Sequence, residues 1–171
     1  MSSLPRVTPL TRERAARELD DRGPERCRLE IMGELEASNP EILDMAMRCA
    51  RDVGELSRVM TGFCVFYRVL RAEAYAAAGV SVPAGDRHSL SLLPRVTPAT
   101  REMIARRIDS IGSAQFTRNV IAELERNNPE LLVLSHNFAE NQADYLGVMQ
   151  GFTLLYACLL EQASQERGSL H

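Results

Sequence analysis

The segment LPRVTPLTRE at Leu4–Glu13 returns as LPRVTPATRE at Leu93–Glu102, 89 positions later with one change. The match continues well beyond those ten residues. Positions 4–74 align with 93–163 without a gap, and 28 of the 71 positions are identical. Shared landmarks run the whole length: Asp20/Asp109, Gly23/Gly112, ELE at 34–36 and 123–125, NPE at 39–41 and 128–130, and VMxGF at 59–63 and 148–152. Two segments that diverge without losing register keep the same helices and turns. The expectation is therefore a tandem duplication, with a first repeat at 4–74, a linker at 75–92 and a second repeat at 93–163.

Each repeat reads as four helices. Thr8 and Thr97 have the residue type of an N-cap and are followed by Pro9 and Pro98, whose missing N–H is harmless at the first helical position. Gly23 and Gly112 sit where a helix-ending glycine belongs. Asn39-Pro40-Glu41 and Asn128-Pro129-Glu130 repeat the start signal, with Asn as the cap and an acid near the positive helix end. Apolar residues then recur at helical spacing. Cys27, Ile31, Met32 and Leu35 form one stripe, matched by Phe116, Val120, Ile121 and Leu124. Val59, Phe63, Tyr67, Leu70 and Ala74 form another, matched by Val148, Phe152, Tyr156, Leu159 and Ala163. Gly62 and Gly151 interrupt that last stripe at a cost of about 1 kcal/mol of helix propensity relative to Ala, which points to a close helix crossing. No segment alternates as a strand would.

The fold class expected is all-α, with two four-helix units packed as a pseudo-twofold bundle. A 70-residue helical unit has little core of its own, which favours one fused body over two separate bundles. Twofold dimers are the commonest oligomers, so such a body would copy an ancestral homodimer.

Composition narrows function mainly by exclusion. All twenty basic residues are Arg and none is Lys, which rules out a Schiff-base or P-loop lysine. The net charge of −3 supplies no overall basic field for nucleic acid, and only nine aromatic residues are available for stacking. The amino terminus has no apolar core of a secretory signal, and the most apolar run, Tyr145–Leu160, is sixteen residues long, short of a membrane span. A cytoplasmic protein with no membrane contact is expected.

Cys27, Cys49, Cys64 and Cys158 contain no CxxC pair and align with Phe116, Phe138, Thr153 and Val69, so they read as small core residues. Of the histidines, His88 lies in the linker and His171 is the last residue. His136 replaces Met47 on an apolar stripe, with Glu140 one turn on, a spacing that can orient an imidazole for metal binding or proton transfer. The ELE glutamates lie near the negative helix end and call for a compensating cation, for which Arg12/Arg101 or Arg6/Arg95 are the candidates. Glu13–Arg17 and Glu102–Arg106 have i,i+4 spacing. No GxGxxG, Walker, GxSxG, HExxH or ExxH motif occurs.

The function expected is that of a non-enzymatic interaction protein, an adaptor, accessory factor or regulator, binding a protein partner in a helical groove. Its groove is expected along a second apolar row of the third helix, Ile42, Met45 and Cys49, repeated as Leu131, Leu134 and Phe138. The alternative is a small-molecule or metal site between the halves, built on His136, Glu140 and Tyr156. No catalytic residue, metal ligand set or cofactor is assigned. Nucleic acid is not expected as a partner, and a homo-oligomer is compatible with the pattern.

Overall fold

A computed structural model of the chain describes residues 4–49, 52–79, 93–140 and 145–169. Eight helices account for most of them: α1 (Pro9–Arg22), α2 (Pro24–Ser38), α3 (Pro40–Cys49), α4 (Val53–Ala78), α5 (Pro98–Ile111), α6 (Ser113–Asn127), α7 (Pro129–Glu140) and α8 (Tyr145–Ser169). No strand occurs among the described residues. The all-helical class read from the periodicity is therefore the one observed.

The local signals act as their chemistry requires. Thr8 and Thr97 take extended backbone angles, and their hydroxyls accept from the N–H of Thr11 at 3.3 Å and of Thr100 at 3.2 Å. Each satisfies one of the orphan donors of a helix start. Gly23 and Gly112, at φ +88° and +87°, end α1 and α5 and at once begin α2 and α6. A side chain is strained at such angles, so glycine lets two helices follow one another with a one-residue corner.

The two threonine caps are themselves anchored. Glu73 on α4 accepts from the backbone N–H of Thr8 at 2.8 Å, and Gln162 on α8 accepts from that of Thr97 at 3.1 Å. Positions 73 and 162 are 89 apart, like the threonines they hold.

Asn39 and Asn128 depart from the sequence expectation. Each closes the preceding helix, with its N–H donated to Leu35 O at 2.7 Å and Leu124 O at 2.8 Å. Their side chains do not cap α3 and α7. The amide of Asn39 instead accepts from Val96 N–H at 3.0 Å and donates to Pro94 O at 2.9 Å. The amide of Asn128 accepts from Val7 N–H at 2.9 Å and donates to Pro5 O at 2.9 Å. A side-chain amide has the donor and acceptor of a peptide group, so each asparagine pairs with the opposite LPRV segment as a strand would. The repeated segment thus does more than lead into a helix; it is the piece each half is gripped by.

The same reciprocity recurs in the helices. α1 packs against α7 and α5 against α3; α4 packs against α7 and α8 against α3. Arg12 meets Glu130 at 2.5 Å, while Arg101 meets Glu41 at 2.6 Å and Asp44 at 2.5 Å. This corrects the expected partners of the ELE glutamates. Arg12 and Arg101 reach the glutamates of the two NPE turns, while Glu34 is taken by Arg71 on α4. Burial pushes the Glu34 carboxyl above its ordinary range even with Arg71 beside it. Glu102 pairs with Arg48 at 2.5 Å and Arg101 at 3.1 Å rather than with Arg106. The Arg48 hydrogen bond, opposed by burial and helped by Arg101, holds the Glu102 carboxyl below the usual carboxylate range.

α4 and α8 form the centre, packed on each other over the largest helix–helix interface in the molecule. Phe63, Phe66, Tyr67 and Leu70 on α4, and Phe152, Leu155, Tyr156 and Leu159 on α8, are buried. Phe66 lies 5.2 Å from the Phe152 ring and edge-on to Tyr156 at 5.8 Å, the tilted arrangements that aromatic quadrupoles prefer. At Gly151 the backbones nearly touch: a Cβ there would stand 2.4 Å from the Val59 carbonyl oxygen. The close crossing expected from that glycine is present. No helix among the described residues is long and apolar enough to cross a membrane.

Candidate functional site

The apolar row expected to form a groove faces inward. Ile42, Met45, Leu131 and Leu134 are all buried in the common core. The physical reason is that α3 is flanked by α2, α4, α5 and α8, so elements of both halves cover it. The side chains of Cys49 and Phe138 lie outside the described residues. A charge at Leu134 therefore tests the core rather than a surface.

The residues of the alternative site are separated in role. His136 is half-buried on α7, Tyr156 is buried on α8, and the Glu140 side chain lies outside the described residues, as do His88 and His171. Burial, then the negative charge of Glu123, push the Tyr156 phenol up to about 12, against a hydrogen bond with Asn128. It stays protonated at neutral pH. No group of three or more potential metal ligands occurs among the described residues. Cys27, Cys64 and Cys158 are buried, and burial pushes the Cys64 thiol up to about 12, far from a reactive thiolate.

Two hollows meet at Phe116. The first, about 440 Å³, lies between α6 and α8 and is lined by Arg107, Asn119, Glu123, Tyr156, Ala157 and Arg167 among others. The corresponding place in the first half is filled. Ala157 aligns with Arg68, whose side chain is only 8% exposed and donates to Glu18 at 2.7 Å and Glu30 at 3.3 Å. Glu18 and Glu30 align with the lining residues Arg107 and Asn119, and Leu160 aligns with Arg71. The chain's own guanidinium thus occupies the groove in one half. In the other half an alanine leaves it open, and Arg107 and Asn119 stand where the two glutamates do. Arg107 is held to Glu161 at 2.7 Å, and Glu123 to Arg126 at 2.6 Å.

The second hollow, about 390 Å³, opens on the other side of Phe116 among α5, α6 and α8, and Arg48 and Val59 of the first half close it. Its lining includes Asp109, Ser113, Thr117, Gln150, Thr153 and Leu154. Both hollows fall in the size range of small-ligand sites, and both mix apolar walls with a few polar groups. Neither is lined by His136 or by a cysteine. The signal for them was present in the repeat alignment, where Arg28, Arg68 and Arg71 face Thr117, Ala157 and Leu160. Short side chains in place of three long cations leave volume, but periodicity alone does not reveal which of those positions are buried.

No family model, curated protein or solved structure matches this chain, so the reading of the site rests on its own geometry.

Proposed function

We propose that the chain is a fused pseudo-dimer, two homologous four-helix units packed about a pseudo-twofold axis, and that it acts as a non-enzymatic interaction protein. The first half serves as scaffold, and the second half receives a group from a protein partner. The reciprocal Asn39 and Asn128 clasps and the paired contacts of α1 with α7 and α5 with α3 support the pseudo-twofold arrangement. An interface between positions i and j answered by one between their counterparts is the mark of isologous packing. A cytoplasmic setting is part of the same reading, and it is compatible with the lack of a membrane-spanning helix among the described residues.

One observation carries the functional reading: Arg68 fills its groove and Ala157 leaves the equivalent groove open. Both halves supply a clasp that holds the fold, but a position away from the clasps can diverge in one half alone and present a cavity. The described lining of the hollows brings hydroxyls and carboxylates together without a histidine or a thiolate to activate them, which favours binding over catalysis.

Ala157→Met tests this. Methionine is flexible enough to fill an irregular gap without adding charge. The variant is expected to keep the wild-type helical circular dichroism. In affinity capture from the native host, recovery of the partner should fall at least tenfold, as judged by quantitative mass spectrometry. Equal recovery of every captured protein by the two forms would contradict the proposal.

A further inference from the structure

The hollow beside Arg48 carries a more specific chemistry than its size. Its rim holds one cation and one carboxylate of different standing. Arg48 is neutralised by Glu102 at 2.5 Å. Asp109 is exposed and has no hydrogen-bond or ionic partner among the described residues, and the side chains of Thr117 and Gln150 are equally unengaged there. The floor is the buried ring of Phe116. The uncompensated charge of the lining is therefore negative and stands above an aromatic and aliphatic base.

The first half differs in this lining. Thr117 aligns with Arg28, and Asp109 aligns with an identical residue, Asp20. The Arg28 side chain is 25% exposed, and its guanidinium donates to Ser57 Oγ on α4 at 3.1 Å and lies 4.0 Å from the Glu25 carboxylate on α2. The first half thus carries a guanidinium at the position where the second half has the short Thr117. The second half keeps the acid and lacks the arginine.

We propose that the hollow lined by Asp109, Phe116, Thr117 and Gln150 binds a guanidinium group. The assignment rests on the reading of the second half as the binding half. A planar guanidinium presents five N–H donors in a fixed fork, which a carboxylate accepts two at a time, with Gln150 Oε1 and the Thr117 hydroxyl left to accept the rest. Its face stacks on an aromatic ring, whereas an ammonium is a compact and strongly hydrated point charge. An anion would meet Asp109 and be repelled. The group has two possible sources, an arginine side chain of the protein partner or a free small guanidinium compound.

Ethylguanidinium titrated into the full chain at low salt, followed by amide chemical shifts, tests the proposal. Saturable shifts are expected at Thr117, Gln150 and Asp109. The dissociation constant should rise at least tenfold in Asp109→Asn, and binding should vanish in Thr117→Arg, which restores the residue of the first half. Absence of saturable shifts, or an unchanged constant in Asp109→Asn, would overturn it. Asp109 is exposed, so that variant keeps the test valid if Thr117→Arg disturbs the fold. A short alanine peptide with one central arginine then separates the sources. Binding tighter than ethylguanidinium assigns the group to a partner protein, and equal or weaker binding assigns it to a free compound. If no guanidinium binds while Ala157→Met still loses its partner, the guanidinium assignment fails and the binding-half reading survives. If Ala157→Met changes nothing, that reading fails on its own.

Discussion

Asn39→Ala is expected to cost the protein about 3 kcal/mol of stability, because it strands two backbone groups at once and each buried unsatisfied group costs roughly 1–3 kcal/mol. Asn39 is 1% exposed, and its amide is the partner recorded for both Val96 N–H and Pro94 O. Asn128→Ala removes the equivalent bonds to Val7 N–H and Pro5 O together with the hydrogen bond to the buried Tyr156 phenol, and its cost should be similar. Native domains are stable by only about 5–15 kcal/mol, so the double variant should be close to unfolded at room temperature. Urea denaturation checks all three proteins. Asn39→Asp separates the two bonds, since it keeps an acceptor for Val96 N–H, loses the donor to Pro94 O and places a charge in the seam. It too should be destabilised. A loss under about 0.5 kcal/mol in Asn39→Ala, the range of ordinary surface changes, would remove the clasp from the account.

The second large effect has the opposite sign from helix propensity. Ala normally stabilises an exposed helix by up to about 1 kcal/mol over Gly. At Gly151 the added methyl would stand 2.4 Å from Val59 O and 3.1 Å from Val59 C and Cα, all of them backbone atoms that cannot swing aside. Relief requires α4 and α8 to separate, and overpacking of a tight core typically costs about 1–3 kcal/mol. Gly151→Ala should therefore lower stability by about 2 kcal/mol, which for a chain of this length is a fall in Tm of roughly 4–8 °C. Gly33→Ala is the control. No heavy atom lies within 4 Å of a Cβ at that helical position, so the same substitution should be neutral or stabilising.

Much of the helical frame is legible in the sequence because its signals are local. A threonine before proline, a glycine that must take positive φ, and apolar spacing of three and four each act within a few residues. Those features place α1, α2, α5 and α6 and their corners. Asn39 stands at the start of α3 as its motif implies, but the role of its side chain escapes such signals for the same reason. Asn before Pro-Glu has the local grammar of a cap, but its side chain bonds to residues 55 and 57 positions away, which no local pattern encodes. Ile42, Met45, Leu131 and Leu134 read as a groove only when one repeat is taken as a complete body. In isolation α3 has a second apolar face left over; in the whole molecule α5 and α8 lie on it. Arg68 was invisible as a core residue because an arginine on a helix is normally solvated. Burial of its stem between Glu18 and Glu30 becomes evident only from the fold.

The hollows were half-legible. The divergence of Arg28, Arg68 and Arg71 from Thr117, Ala157 and Leu160 is plain in the alignment, but its meaning depends on which side of α4 and α8 faces inward. His136 stands out in the sequence by residue type alone, and neither hollow includes it.

The central claim is that neither half completes its fold without a second half to clasp it. Sedimentation equilibrium on an equimolar mixture of residues 1–79 and 93–171, at concentrations where the mixture is helical by circular dichroism, tests this most directly. The account predicts a two-chain species, because Asn39 and Asn128 each need the LPRV segment of another half. Folded species with the mass of a single half would contradict it, since each unit would then be a domain in its own right.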